Sequence, residues 1–68
     1  MDTIKVVLAD DDAGMRLVVR HMLERVEGFT LVGEAADGDA LLELVEKHHP
    51  QICFLDVEMP LRWILVQI

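Results

Sequence analysis

The chain begins with a short, nearly continuous apolar run, Ile4-Lys5-Val6-Val7-Leu8-Ala9, which stops at Asp10, Asp11 and Asp12. A run this short, rich in branched side chains and without polar alternation, predicts a strand covered on both faces of a parallel sheet. From Asp12 to Glu27 the spacing becomes helical. Met15, Val18, Val19, Met22, Leu23 and Val26 share one face, and Arg16, Arg20, Glu24 and Arg25 lie opposite. Asp12 is placed to cap the start of this helix, and Gly28 suits the residue beyond its end. Phe29 to Ala36 holds a second strand centred on Leu31-Val32-Gly33-Glu34-Ala35, whose glycine and charge suit a sheet edge. Asp37 is the expected cap of a second helix with Ala40, Leu41, Leu44, Val45 and His48 inward, and Pro50 limits its length. Ile52-Cys53-Phe54-Leu55 is a third apolar strand that ends at Asp56. Strands and helices that alternate through short loops predict an α/β fold, with right-handed crossovers on a parallel sheet.

With 68 residues the chain is one small domain at most, and a chain of that size buries only about 60% of its unfolded surface. Thirteen acids against six bases give a net charge of −7, and no basic stripe appears. Contact with a phosphate backbone needs clustered Lys and Arg, so direct nucleic-acid binding by this chain is not expected. The single cysteine, Cys53, cannot form an internal disulfide. It reads as an inert core thiol in a reducing compartment, with a cytoplasmic location as the expectation. The first strand starts too early to leave room for a signal peptide, and no apolar run is long enough to cross a bilayer.

Two strands that both end in aspartate hold the candidate chemistry. Open parallel sheets bind ligands beyond the carboxyl ends of their strands. If the first and third strands are neighbours, Asp10, Asp11 and Asp56 meet at that edge. Two carboxylates about 4 Å apart repel by roughly 4 kcal/mol at an effective dielectric of 20, which a cation relieves. An all-oxygen set favours a hard divalent ion such as Mg2+, and the chemistry suggested is phosphoryl transfer to a carboxylate. The plainer reading is that aspartates after a strand are caps and turn residues, and Asp12 fits that role. Among the remaining polar groups, His48 and His49 point about 100° apart on a helix, which suits one packed and one solvated ring. His21 reads as surface. Gly28, Gly33 and Gly38 form no phosphate-binding fingerprint.

Leu8-Ala9-Asp10-Asp11-Asp12, Arg16 five residues after Asp11, and Phe54-Leu55-Asp56-Val57-Glu58-Met59-Pro60 resemble the two signature stretches of bacterial response-regulator receiver domains. Val32 to Gly38 is similar to that family's second strand and turn, so the resemblance covers residues 4 to 60. It implies a partial flavodoxin-like fold, with three parallel strands in the order 2-1-3 and two crossover helices. It also implies that Asp56 accepts phosphate from a histidine kinase or phosphotransfer protein. Asp11 would bind Mg2+ directly, Asp10 through water, and the backbone carbonyl of Glu58 would complete the protein ligands. Pro60 would shape the following loop. The kinase would dock on the first helix at Met15, Arg16, Val19 and Arg20. The stretch around Asp56 also looks like the receivers joined to LytTR-type DNA-binding domains.

After Pro60 the chain departs from the family pattern. Leu61 to Ile68 has no glycine, and six of its eight residues are apolar, a pattern that suits either strand or helix. Residues 1–60 therefore read as a truncated receiver domain and 61–68 as a departing tail, with the family's switch hydroxyl and phosphate-pairing lysine in absent segments. The expected module is a phosphoacceptor and not an enzyme, without signalling output. One rival is a non-catalytic fragment that binds another chain, or itself, through the sheet edge or tail. A second is a metal-dependent phosphohydrolase with Asp56 as nucleophile. That class wants an aspartate two residues later, where this chain has Glu58.

Overall fold

A computed structural model describes residues 3–56. Its five elements follow the predicted order: β1 (Ile4–Ala9), α1 (Ala13–Glu24), β2 (Phe29–Ala35), α2 (Gly38–His48) and β3 (Ile52–Leu55). The strands form one parallel sheet in the order β2-β1-β3, so the partial flavodoxin-like topology expected above is the observed one.

The central position of β1 explains its unbroken apolar sequence. Val6 and Leu8 pack on one face with Leu23 and Val19 of α1 and with Phe29, Leu31 and Ile52. Val7 and Ala9 pack on the other with Ala35 and with Leu41, Leu44 and Val45 of α2. All four β1 side chains are buried, and a buried Val or Leu contributes about 1.5–3 kcal/mol.

Local chemistry sets the helix ends. The Asp12 carboxylate accepts from the amides of Gly14 at 2.8 Å and Met15 at 3.2 Å, and Asp37 accepts from Ala40 at 2.8 Å. Both satisfy amides that the first turn leaves open. At the far end of α2, His49 takes a left-handed conformation at φ 49° and returns its amide to Val45. The helix stops there, one residue before Pro50.

Three expectations are corrected. The helical pattern to Glu27 overran the helix, which ends at Glu24. The amides of Arg25 and Val26 bond to Met22 and Leu23, three residues back, and close a tighter turn. Gly28 then turns the chain with φ 93°, a conformation open to glycine at little cost. The inner face assigned to α1 is also too wide. Leu23 is buried and Val19 half-buried, whereas Met15, Val18, Met22 and Val26 are exposed. The helix leans towards β2 through Arg16 and Arg20, away from β3. Cys53 is likewise exposed, not a core residue, on the α2 side of the sheet. It pairs with Val7, but β3 is an edge among the described residues. Partial desolvation still pushes the Cys53 thiol pKa up, which lowers its thiolate fraction near neutral pH. His48 is half-buried and His49 exposed, as the helical spacing predicts.

Candidate functional site

Backbone hydrogen bonds hold the carboxyl end of β1 on both sides. The Asp10 amide donates to the Ala35 carbonyl of β2 at 3.1 Å, and the Asp56 amide donates to the Ala9 carbonyl of β1 at 3.0 Å. These two bonds extend the parallel ladders by one residue beyond the strands. The second brings the first and third strand ends side by side, as the convergence of aspartates requires.

The result is a cluster of Asp10, Asp11 and Asp56, each offering a carboxylate oxygen within 4.8 Å of the others. Asp10 is buried, with 7% of its surface exposed. Asp56 is half-buried and Asp11 exposed. At such separations each pair of ionised carboxylates repels by about 3–4 kcal/mol at an effective dielectric of 20, less where water reaches Asp11. Among the described residues, ion pairs join Arg16 and Arg20 to Glu34, and none reaches Asp10 or Asp11. Asp10 Oδ1 accepts from the Asp12 amide at 2.9 Å, which fixes the side chain and leaves carboxylate lone pairs to spare. Three oxygen donors without a nitrogen or sulfur ligand fit a hard divalent cation such as Mg2+. Asp12 serves the helix instead.

Arg16 and Arg20 of the expected docking set have internal contacts that the sequence did not disclose. Arg16 Nη1 donates to the Asp10 carbonyl at 2.7 Å, and its Nε lies 3.8 Å from Glu34 Oε1. Arg20 Nη1 bonds Glu34 Oε2 at 3.2 Å. Met15 and Val19 line a shallow pocket with Phe54 and Leu55 of β3, which Asp10 and Asp56 also line. The ring of Phe54 meets that of Phe29 at a 6.4 Å centroid distance and 56° tilt, an arrangement aromatic quadrupoles favour. Glu58, Pro60 and the tail 61–68 lie outside the described residues. No helix among the described residues is long and apolar enough to cross a membrane.

Comparison with known proteins agrees with this geometry. Residues 6–63 match the family model of the response regulator receiver domain. The transcriptional regulatory protein PdtaR of Mycobacterium tuberculosis is 45% identical over 58 residues. The match covers 85% of this chain but only 28% of that relative. The signal receiver domain of the putative response regulator NarL from M. tuberculosis superposes with a TM-score of 0.82 at 38% identity, over 88% of this chain and 48% of that one. A structure of the P1 domain of CheA3 in complex with CheY6 from R. sphaeroides matches with a TM-score of 0.76 at 33% identity, over 88% of this chain and 47% of that chain. A strand-order match, an acidic edge built from the expected residues and a family match over most of the chain agree, and this protein belongs to the response regulator receiver domain family.

Proposed function

We propose that this chain is a phosphoacceptor module of a two-component phosphorelay, phosphorylated on Asp56 by a histidine kinase or phosphotransfer protein with Mg2+. The convergence of Asp10, Asp11 and Asp56 within 4.8 Å at the carboxyl edge of the sheet carries this reading. A carboxylate oxygen of Asp56 attacks phosphorus, the bond from phosphorus to the donor's histidine nitrogen breaks, and the imidazole leaves. Asp11 and Asp10 would hold the cation together with Asp56, and the Glu58 carbonyl would add a ligand. Bound there, Mg2+ would neutralise the charge that builds on the phosphoryl oxygens. Pro60 would shape the loop after the acceptor. The kinase would approach over α1, at Met15, Arg16, Val19 and Arg20 near the acidic edge. The complex of a CheA3 P1 domain with CheY6 among the similar structures supports a partner of this kind.

Incubation with acetyl phosphate or beryllofluoride tests the reading by intact-mass analysis and 19F NMR respectively. A Mg2+-dependent adduct is expected in the unsubstituted chain and absent in Asp56→Asn. Turnover of free phosphate esters without a lasting adduct would favour the phosphohydrolase. Absence of any metal-dependent adduct, together with concentration-dependent self-association, would favour the binding fragment.

A further inference from the structure

One irregularity in the sheet connects to the acid cluster. β1 and β2 run in step from Ile4↔Phe29 to Val6↔Leu31, then skip a residue, so that Val7 pairs with Gly33 and Leu8 with Glu34. Val32 is the extra residue. A strand sends alternate side chains to opposite faces, so one inserted residue exchanges the faces of everything after it. Phe29 and Leu31 lie on the α1 side. Without the skip Gly33 and Ala35 would share that side, and Glu34 would face α2. Instead Val32 and Ala35 pack towards α2, and Glu34 emerges beneath α1 at its two arginines. At position 33 β2 lies close against α2: a Cβ there would be 2.6 Å from Leu44 Cδ2. A glycine fits this close approach.

We infer that the Val32–Gly33 bulge turns Glu34 towards α1 so that it holds Arg16 as a positioning residue on the Asp10 carbonyl, fixing the Asp10–Asp11 turn for cation binding. This rests on the reading of the acid cluster as a cation site. One guanidinium spans both partners, Asp10 at 2.7 Å and Glu34 at 3.8 Å. Its planar fork suits the task, and a lysine ammonium reaches only one of them well. The main-chain carbonyl it grips belongs to the residue whose own carboxylate joins the cluster and whose amide is tied to Ala35. Gripping that peptide limits rotation of the turn that carries Asp11. The Arg16 charge by itself repels a divalent ion nearby, and Glu34 offsets that repulsion. Arg20 shares Glu34 and keeps its carboxylate in place.

The test separates positioning from bulk charge by measuring Mg2+ affinity calorimetrically on the full chain and its variants. Circular dichroism and metal-free melting serve as the check on folding. Groups that orient metal ligands typically contribute ten- to a hundredfold to affinity. Both Arg16→Gln and Arg16→Lys are therefore expected to weaken Mg2+ binding about tenfold while the strands and helices persist. Glu34→Gln is expected to weaken it about threefold, because Arg16 then keeps its charge and loses its anchor. If Arg16→Lys binds like the unsubstituted chain, or Arg16→Gln binds equally or more tightly, the residue is only a nearby charge and the inference is overturned. If the unsubstituted chain binds no Mg2+ and Asp11→Asn changes nothing, the cation reading itself fails and takes this inference with it. A melting shift without an affinity change marks a purely structural role and also overturns it.

Discussion

The amide of Asp56 donates to the carbonyl of Ala9 at 3.0 Å. That single bond extends the β1–β3 ladder to Asp56 and places it beside Asp10. Asp10 and Asp56 thus follow directly on the ends of β1 and β3, and Asp11 sits on the turn after the buried central strand. A preorganised set of oxygens binds a cation without first ordering the chain.

If the cluster takes up Mg2+ only in the folded state, the ion stabilises the fold by mass action. At a hundredfold excess over the dissociation constant the gain is about 2.7 kcal/mol. Thermal melting should therefore move upward with added MgCl2 in the unsubstituted chain, and stay put in Asp11→Asn. Equal shifts in both would place the ion elsewhere.

Asp12 stands next to the cluster but caps α1. Asp12→Ala should cost about 1 kcal/mol in urea unfolding, and Asp12→Ser should recover most of that. Neither should change Mg2+ affinity beyond about twofold at temperatures where the chain stays folded, because both substitutions keep the Asp12 backbone amide from which Asp10 Oδ1 accepts. A large loss of affinity in Asp12→Ser would make this residue a ligand.

Gly33 and Leu44 form a packed pair across β2 and α2. Gly33→Ala should destabilise by about 1–3 kcal/mol, the usual cost of overpacking a core contact. In a Leu44→Ala background the same substitution should be close to neutral. A double-mutant cycle of unfolding free energies reads the coupling, and simple additivity would mean the strand shifts to make room.

The two sides of α1 should respond differently to truncation. Leu23 is buried against Val6 and Leu8, so Leu23→Ala should cost about 2–5 kcal/mol, enough to unfold a domain this small. Met22 is 62% exposed, and Met22→Ala should stay within about 0.5 kcal/mol. Chemical denaturation of the two variants side by side settles the lean of the helix.

Cys53 offers a pH-dependent measurement. Its thiol pKa is raised by desolvation, so at mild alkaline pH less of it is thiolate than in an unfolded chain. Alkylation by iodoacetamide near pH 8 should be slower in the native protein than in urea, and the gap should close as pH rises past the native pKa. A native rate equal to or above the unfolded one at pH 8 would contradict a raised pKa.

Much of this protein was legible in its residues because the forces involved are local. The unbroken Val6-Val7-Leu8-Ala9 run announced a strand covered on both faces. Asp12 and Asp37 announced their helices, since a cap needs only its own first turn. Asp10, Asp11 and Asp56 announced the acidic edge, and the family resemblance supplied the strand order that joins them. Other features depend on how elements are laid against each other. Periodicity gave α1 an apolar stripe but not its lean towards β2, so Met15, Val18 and Met22 were wrongly buried. Cys53 looked like core because an apolar run does not tell a central strand from an edge. The grip of Arg16 on Asp10 depends on one extra residue in β2. A single-residue change of register reverses which way Glu34 faces, and that register is set by packing β2 against both β1 and α2. Sequence determined the elements and the acids at their ends, whereas tertiary structure alone decided which arginine meets which carboxylate, because facing is a property of two strands in register.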